Sequence, residues 1–328
     1  MHRCRRLAAY AVAAATTLAN TAAAQDPAAN YPSKPVRVII PFVAGGSTEN
    51  EARLYIDKLQ ASLKQPFVYD FRGGAGGSIG AVQLLNSTPD GYTIMIANTS
   101  LTIYPNFYPQ LSHQAVSQLV PITELSNRTT AVITSPAALP NVNSLKDLVA
   151  WGKANPGKLN CNNSGAGGVT HIVCVALSNA LGIPITPVYY KGVAQGQIDL
   201  IAGRTQVSGG TLTAGLGHIK TGKLRAIAIY GPNRSPLVPD VPTTAEQGYD
   251  IAYPSWFGAF APPKTPQPIA RKLNAELVNA VKSPDVIAAL EKLGTTPIGS
   301  TEDEFRKKFQ VNVAYWKKIV EANNIKLE

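Results

Sequence analysis

The stretch VRVIIPFVAGGSTE, from Val36 to Glu49, indicates which fold the chain adopts. Its first five residues form a compact run rich in β-branched side chains, which predicts a buried strand. Gly45-Gly46 predicts a sharp turn after that strand, and a helix is expected from about Glu49 to Lys64. A strand that leads through a glycine turn into a helix is the repeating unit of an α/β fold.

The strand–turn–helix unit recurs along the chain. Phe67 to Tyr69 predicts a second strand, Gly73 to Gly77 a second glycine turn, and Tyr92 to Ile96 a third strand. Another cycle begins near Ala131 and contains its own glycine turn at Ser164 to Gly168. These repeats predict an α/β fold built on mainly parallel, doubly wound sheets with flanking helices. Because 328 residues exceed the usual size of one core, we expect two.

Three helices are predicted near the C-terminus. Pro268, Ser283 and Ser300 mark their starts. In the last helix, five apolar side chains recur at helical spacing: Phe305, Phe309, Val313, Trp316 and Val320. Such a stripe predicts a face packed on a core and not a ligand site.

The first 24 residues have the order of a secretory signal peptide. Arg3 to Arg6 supply a cationic start, and Ala22 to Ala24 offer small residues before a cleavage point. The apolar stretch between them, Leu7 to Leu18, is shorter than the roughly 20 residues that cross a bilayer. We therefore expect export and removal of residues 1–24, with an uncleaved anchor as the alternative.

The net charge of the chain excludes few classes of binding partner. The formal net charge is +10, and removal of residues 1–24 would take away three arginines and lower it to +7. No cluster of Lys and Arg interleaved with aromatic residues accompanies this charge, so nucleic acid is not an expected partner. For an exported protein, a mild positive charge indicates a general attraction for anions. No segment after residue 24 is long and apolar enough to span a membrane.

Cys161 and Cys174 are the cysteines that would remain after cleavage. Cys161 ends a predicted strand, and Cys174 lies about one turn into the following helix. A disulfide between them would close over the glycine turn that separates these elements, and export makes their oxidation possible. The sequence leaves open whether they form this disulfide or remain two buried thiols.

Two glycine turns are the candidate binding elements. The first runs from Phe42 to Glu49 and the second from Asn163 to His171. Glycine lets a ligand approach the backbone amides, and the helix behind each turn presents unpaired N–H groups with a partial positive charge. Each turn is thus a candidate anion site, with a tight turn that binds nothing as the alternative. Thr48 and Glu51 also predict a capping box at the first helix.

Motifs for metal-dependent hydrolysis, redox chemistry and nucleotide binding are lacking. The sequence contains no H-E-x-x-H, no C-x-x-C and no P-loop string. Gly74 and Gly76 begin a G-x-G pattern, but Ile79 occupies the place of the third glycine. Of the histidines, only His171 lies near a candidate site. It is expected to brace the turn, with ligand contact as the alternative.

Several strings together resemble those of one family. They are YPSKPVR (31–37), PFVAGG (41–46), GAGGSIG (74–80), PDGYT (89–93), YKG (190–192), GKLRA (222–226) and PDVPT (239–243). In this order they resemble the Bug family, the TctC-like extracytoplasmic receptors of tripartite tricarboxylate transporters. Each string alone is common, whereas seven in sequence are specific.

The resemblance implies a two-lobed periplasmic binding protein fold of the type II kind, with two crossover strands. Lobe 1 would comprise residues 25–127 and 250–328, and lobe 2 would comprise residues 128–249. The crossovers would lie near Thr123 to Val132 and near Tyr249 to Ser255. A hinge that closes the lobes on a ligand is expected at these crossovers.

The resemblance also implies a carboxylate ligand that is held largely by backbone amides and ordered water. The residues expected to line the site are Val43, Ala44, Gly45, Gly46, Ser47, Thr48, Glu49, Thr99, Ser100, Ser164, Gly165, Ala166, Gly167, Thr170, Gly210 and Thr211. Neither a cofactor nor a metal ion is expected.

The chain departs from the family's pattern within these turns. Glu49 stands where the family usually has aspartate, and Gly210 stands where it frequently has an acid. Loss of that acid predicts a roomier cleft that tolerates a second carboxylate. Four tyrosines fall near the turns along the chain: Tyr104, Tyr108, Tyr189 and Tyr190. They would suit an aromatic acid if they lined the cleft, with packing as the alternative.

The sequence therefore predicts a periplasmic solute-binding receptor, and not an enzyme, for an aliphatic or aromatic mono- or dicarboxylate. The expected partners are membrane subunits of a tripartite tricarboxylate-type transporter, and the receptor is expected to be a monomer. A ligand sensor for a membrane kinase is an alternative that would use the same cleft. A secreted α/β hydrolase or lyase is the third possibility, and it needs a nucleophile or an acid–base pair that spacing does not place.

Overall fold

The computed structural model describes residues 26–190 and 193–326, so the predicted signal peptide lies outside the described residues. The chain forms two sheets, and each sheet contains strands from both described ranges. The strands are β1 (Val36–Ile40), β2 (Phe67–Phe71), β3 (Thr93–Asn98), β4 (Val120–Arg128), β5 (Ala131–Thr134), β6 (Asn160–Asn163), β7 (Thr186–Tyr189), β8 (Val207–Ser208), β9 (Arg225–Ile229), β10 (Trp256–Ala261) and β11 (Thr295–Pro297).

Helices connect these strands and cover both sheets. They are α1 (Ser47–Leu63), α2 (Ser78–Leu85), α3 (His113–Ser117), α4 (Leu145–Ala154), α5 (Val169–Leu181), α6 (Val193–Ile201), α7 (Leu212–Lys220), α8 (Gln267–Val281), α9 (Pro284–Lys292) and α10 (Glu302–Ala322). The three C-terminal helices begin within two residues of their predicted starts. No helix within the described ranges is long and apolar enough to cross a membrane.

The α/β class is as predicted, but both sheets are mixed and not mainly parallel. The first sheet has the order β11-β4-β10-β3-β1-β2, and the second has the order β7-β6-β8-β5-β9. In the first sheet β10 is antiparallel to both neighbours, as β5 is in the second. These are the strands through which the chain enters the second sheet and returns to the first. Each begins at the edge where its neighbours end, which fixes the antiparallel pairing.

Two adjacent connections join the sheets. β4 passes to β5 through Thr129 and Thr130, and the chain returns between β9 and β10. The connections run side by side, because Ser255 O accepts the Arg128 N–H at 2.8 Å and Thr130 O accepts the Tyr230 N–H at 3.0 Å. The predicted lobe boundaries fall near these connections, and a hinge there stays a prediction.

The last helix packs on both cores. Near its start, Phe305 and Phe309 are buried with residues of the first sheet. Farther along, Trp316 and Val320 are buried in the core that surrounds the second sheet. The predicted apolar face of this helix is thus confirmed as core. Its C-terminal half, however, contributes to the packing of the second sheet as well.

A disulfide joins Cys161 to Cys174, with their Cα atoms 5.9 Å apart. Cys161 lies in β6 and Cys174 in α5. Both residues are fully buried in the core around the second sheet. The bridge therefore ties together the strand and the helix that flank the second glycine turn, which resolves the question that the sequence leaves open.

Candidate functional site

Strand ends from the two sheets face each other across a cleft. In the first sheet, β1, β3 and β4 end where β10 begins, since Phe257 pairs with Asn98 and Ser126. In the second sheet, β6, β8 and β9 end where β5 begins. The two-residue link from β4 to β5 makes these edges face each other. Both glycine turns leave from these edges, which is where open α/β sheets bind ligands.

The first turn, Phe42 to Glu49, leads from β1 into α1. Gly45 has a φ of +80°, a conformation that favours glycine, and Gly46 is the N-cap residue of α1 in extended conformation. No side chain caps this helix start, so the capping box predicted from Thr48 and Glu51 is wrong. The helix begins two residues earlier than expected, which places both residues inside it.

Glu49 folds back into the first turn. Its Oε2 accepts the Gly45 N–H at 2.6 Å, and its Oε1 accepts a hydrogen bond from Arg53 Nε at 3.0 Å. The Gly45 N–H, followed by the Arg53 guanidinium, holds the pKa of the Glu49 carboxyl below its ordinary value. The carboxylate thus fixes the turn and engages one of its backbone donors.

A second glycine segment packs on the first turn. A Cβ atom at Gly73 would lie 3.1 Å from Val43 N, so only glycine fits against that backbone without displacement. Val43 and Ala44 are exposed, Val43 to 67%, whereas Thr48 is buried. The first turn therefore presents the two apolar side chains of Val43 and Ala44 at its tip.

Thr99 and Ser100 follow β3 in a short 3-10 turn and are both buried. Thr99 Oγ1 accepts the Trp256 N–H at 2.9 Å, and Asn98 Oδ1 accepts the Ser100 N–H at 3.0 Å. These bonds fix the end of β3 to the start of β10. Both candidate residues therefore lie at the cleft edge of the first sheet.

The second turn leads from β6 into α5 and is organised by its own side chains. Thr170 Oγ1 accepts the Ser164 N–H at 3.0 Å, and Asn163 Oδ1 accepts the Gly165 N–H at 3.0 Å. Gly168 is the N-cap of α5, and no side chain caps this helix either. The two glycine turns thus share an uncapped helix start, although the sequence predicts a capping box at the first of them.

His171 braces the second turn from within α5. The Gly167 N–H donates to His171 Nδ1 at 3.3 Å, which assigns the ring proton to Nε2. Nε2 in turn lies 3.1 Å from the Tyr189 hydroxyl, and the two rings pack 5.2 Å apart. With the imidazole nearly buried, the ring holds the glycine backbone in place.

Gly210 and Thr211 lie beside the connection between the sheets. Gly210 O accepts the Ala131 N–H at 3.0 Å, and Thr211 forms a bridge with Thr130. Thr211 is also the N-cap of α7, again without a side-chain cap. A Cβ atom at Gly210 would lie 3.3 Å from Ser208 Oγ, so a larger side chain needs only a small adjustment.

Contacts join most of the candidate segments. The first turn contacts the Gly73–Gly77 segment, and that segment meets the second turn at Ala166. Thr99 and Ser100 lie five and four residues before Tyr104, whose hydroxyl donates to Gly76 O at 2.5 Å. Gly210 and Thr211 instead contact the connection between the sheets. The Gly73–Gly77 segment was not among the expected site residues.

The tyrosines near the turns serve mainly in packing. Tyr104 is buried and its ring packs 5.9 Å from that of Tyr108. The Tyr190 hydroxyl donates to Asp199 at 2.8 Å. Tyr189 remains 44% exposed beside His171. The packing alternative therefore holds for Tyr104 and Tyr190.

Tyr230 is a residue that the sequence did not single out. It follows β9 at the cleft edge of the second sheet and is buried, and its ring packs 4.7 Å from that of Tyr253. Its hydroxyl has no hydrogen-bond partner among the residues that the structure describes. Burial raises the pKa of Tyr230 well above its usual range, so the hydroxyl stays a neutral donor.

The string GGSIG, from Gly76 to Gly80, matches the G-x-S-x-G pattern of serine hydrolases. Its serine, Ser78, is buried at the start of α2. The His171 ring, at the facing turn, is engaged by Gly167 and Tyr189 through its two nitrogens.

In residues 26–190 and 193–326, no three His, Cys, Asp or Glu side chains form a group that could hold a metal ion.

Two α/β sheets joined by adjacent connections, with uncapped helix starts at their facing edges, define a two-lobed binding protein. Residues 52–325 match the model of the TctC family, which is described as "Tripartite tricarboxylate transporter family receptor". The chain belongs to this family of solute-binding receptors. Protein BugT of Bordetella pertussis is 34% identical over 310 residues, which cover 93% of this chain and 94% of BugT.

Two solved structures of similar proteins contain bound acids. Rpa4515 of R. palustris with adipate has a TM-score of 0.82 and 26% identity, covering 90% of this chain and 99% of that one. MatC from Rhodopseudomonas palustris with bound malate has a TM-score of 0.80 and 27% identity, covering 88% of this chain and 100% of that one. These similarities confirm the two-lobed periplasmic binding protein fold and the family inferred from the sequence.

Proposed function

We propose that this protein captures a small carboxylate between its two lobes and delivers it to membrane subunits of a tripartite-type transporter. One observation carries the proposal: α1 and α5 begin at facing cleft edges, each with a glycine N-cap and no side-chain cap. Such helix starts offer unpaired N–H groups and a partial positive charge to an anion.

The same geometry favours a ligand with two carboxylates. One carboxylate would bind the uncapped start of α1 and the other the uncapped start of α5, because the Gly45, Gly165 and Gly167 N–H groups are already engaged within the turns. Adipate and malate, the acids in the two similar structures, both carry two carboxylates. The short Gly210 adds to this preference, because no acidic side chain there repels the second carboxylate.

Several features support a receptor over an enzyme. The family is one of solute-binding receptors. Around the second turn, His171 is used to hold the backbone, and the carboxylate of Glu49 is used in the same way in the first turn. We further propose that the protein is exported to the periplasm with cleavage after Ala24 and acts as a monomer.

A thermal-shift screen of the purified protein tests the proposal. The panel contains aliphatic and aromatic mono-, di- and tricarboxylates, with the matching amides or alcohols as uncharged controls. A ligand at 100 times its dissociation constant adds about 2.7 kcal/mol to the free energy of unfolding, which raises the midpoint by a few degrees. We expect dicarboxylates to give the largest shifts, confirmed by titration calorimetry.

The outcomes separate the candidate functions. A flat screen, with protein shown by mass spectrometry to carry no co-purified ligand, would contradict the carboxylate proposal. Retention of transporter membrane subunits on the ligand-loaded protein would support delivery. Retention of a membrane kinase in their place would support the sensor alternative and overturn the transport step.

A further inference from the structure

A glycine of the first lobe lies close to the backbone of the second lobe at the cleft. A Cβ atom built on Gly76 would lie 3.4 Å from Ala166 O and 3.8 Å from Gly168 N. Gly76 belongs to the segment after β2, in the first sheet, whereas Ala166 and Gly168 belong to the turn after β6, in the second. The contact therefore exists only while the cleft edges are close together.

The segment on the first-sheet side has an unusual conformation. Its four residues from Gly74 to Gly77 all have positive φ values, of +123°, +45°, +67° and +104° in chain order. Ala75 is the one non-glycine residue among them, and this region disfavours residues that carry a Cβ. Such a segment persists only where its surroundings hold it in place.

Tyr104 supplies that support. Its hydroxyl donates to Gly76 O at 2.5 Å, and a Cβ atom on Gly77 would overlap the same hydroxyl. Tyr104 is buried, and the residue before it, Ile103, donates its N–H to Ser100 O at 2.9 Å. The carbonyl of Gly76 is thus fixed by a tyrosine whose own backbone position is tied to the candidate residue Ser100.

We propose that Gly74–Gly77 is a latch that holds the lobes closed, and that Tyr104 is the positioning residue that sets the latch. The latch stabilises the closed form through contact between Gly76 and the backbone from Ala166 to Gly168. Because Ser100 O accepts the N–H of Ile103, the residue before Tyr104, a ligand that orders Ser100 also orders the latch. This inference rests on the proposed function only for the ligand's part, since the contact itself lies between protein atoms.

A side chain at position 76 would separate the lobes. A methyl group would make an ordinary van der Waals contact with Ala166 O at 3.4 Å, and a larger group, which extends beyond it, would force the turns apart. A contact that favours the closed form shifts the equilibrium with or without ligand. We expect Gly76→Val to weaken binding of the best acid from the screen about tenfold, because opening of the lobes lowers the population of the closed form that binds it.

Gly157 offers a matched control. Its φ of +75° is close to the +67° of Gly76, so a side chain is equally strained at both positions. Nothing lies within 4 Å of a Cβ atom at Gly157. Gly157→Val and Gly157→Ala therefore reproduce the backbone strain of Gly76→Val and Gly76→Ala without the contact between lobes.

Small-angle scattering of the ligand-free proteins tests whether the latch keeps the lobes closed in the absence of ligand. We expect a larger radius of gyration for Gly76→Val than for wild type, and no change for Gly157→Val. Equal radii for the two variants would overturn the proposal. If Gly76→Val does not fold, the same comparison is made with Gly76→Ala and Gly157→Ala.

A second variant tests the role of Tyr104. Tyr104→Phe keeps the ring in its buried place and removes only the hydrogen bond to Gly76 O. We expect expansion in the direction of Gly76→Val and faster dissociation of the bound acid, whereas Tyr108→Phe leaves both unchanged. An unchanged radius and dissociation rate in Tyr104→Phe would show that the tyrosine serves only in packing.

Binding measurements with adipate and malate show whether the latch proposal or the proposed function has failed. If wild type binds neither these acids nor any other in the screen, the carboxylate proposal fails. The ligand-free radii still decide the latch in that case. If wild type binds an acid and Gly76→Val binds it equally well with an unchanged radius, the latch fails and the receptor proposal stands.

Discussion

Glu51 Oε2 lies 2.7 Å from the guanidinium of Arg128, in an ion pair whose side chains are 1% and 10% exposed. Glu51 belongs to the helix behind the first glycine turn, and Arg128 is the last residue before the link between the sheets. The Arg128 guanidinium also lies 4.1 Å from the Phe257 ring. A buried ion pair thus fixes the first turn's helix to β4, and Arg128 also contacts β10, beside the connection between the sheets.

Arg128→Met should destabilise the protein strongly. The substitution leaves the Glu51 carboxylate buried without its cation, and removal of one partner of a buried pair typically costs about 3–5 kcal/mol. Urea unfolding followed by circular dichroism measures the loss. Arg204→Met, which breaks the exposed pair with Asp199, is the control and should have a much smaller effect. If both variants lost the same free energy of unfolding, burial of the Glu51–Arg128 pair would not be the cause of its effect.

Glu49 should make the first turn sensitive to acid. Its pKa is lowered below the ordinary value of 4.5, chiefly by the Gly45 N–H and then by Arg53. A lowered folded-state pKa means that the carboxylate stabilises the fold above pH 4.5 and that this contribution is lost as the pH falls through the folded value. We expect Glu49→Gln to remove this part of the acid destabilisation.

The measurement for Glu49 is the thermal midpoint of wild type and Glu49→Gln between pH 2.5 and pH 7. The difference between them should be largest near neutral pH and should shrink at acid pH. Glu304→Gln is a useful comparison, because its carboxyl also has a lowered pKa but lies in the capping box of α10, far along the chain from the cleft. Only Glu49→Gln should change ligand affinity. A pH-independent difference would refute the expectation for Glu49.

The disulfide should stabilise the second glycine turn. Cys161 and Cys174 are 13 residues apart, and closure of a loop of this size is worth roughly 3 kcal/mol in the chain-entropy model. We expect the double variant Cys161→Ala and Cys174→Ala to lose about that much free energy of unfolding, measured by urea denaturation. Reduction of wild type with a thiol reagent should give a similar loss. Full stability after either change would mean that the bridge adds little to the fold.

Much of the fold follows from local sequence, because β-branched runs and glycine turns act over a few residues. The first strand, both glycine turns, the uncapped start of α5 and the core face of α10 are all predicted correctly. The capping box at Thr48 and Glu51 failed because Gly46 takes the N-cap position. Glu51 then turns inward to Arg128, which lies 77 residues farther along the chain.

The remaining differences depend on contacts between distant segments. The mixed sheets arise because β5 and β10 each start at a cleft edge, and the direction of entry is not written in either strand's composition. The contact between Gly76 and Ala166 joins two glycine runs that look alike in sequence. Nothing local distinguishes a glycine needed for its φ from one needed because another backbone lies beside it.

Gly210 should influence the choice of ligand by charge. Gly210→Asp would introduce an acid beside the connection between the sheets, where a Cβ atom would lie 3.3 Å from Ser208 Oγ and needs only a small adjustment. We expect weaker binding of dicarboxylates and little change for monocarboxylates, since a like charge disfavours a second carboxylate. Calorimetry with Gly210→Asn as the uncharged control separates charge from size. Equal effects of Asp and Asn would favour size alone.

Gly46→Val should abolish binding while the fold survives. Gly46 has an ordinary negative φ, and its Cβ atom would lie 3.3 Å from Val43 O, so the fold can accept a side chain with a small shift. The valine would nevertheless cover the backbone amides at the uncapped start of α1. We expect at least about a hundredfold loss of affinity, equivalent to roughly 2.8 kcal/mol, measured by calorimetry. Gly217→Val, at an open position in α7, is the control and should bind normally. Unchanged affinity in Gly46→Val would exclude the first turn as the anion site and would leave the turn after β6 to hold the ligand alone.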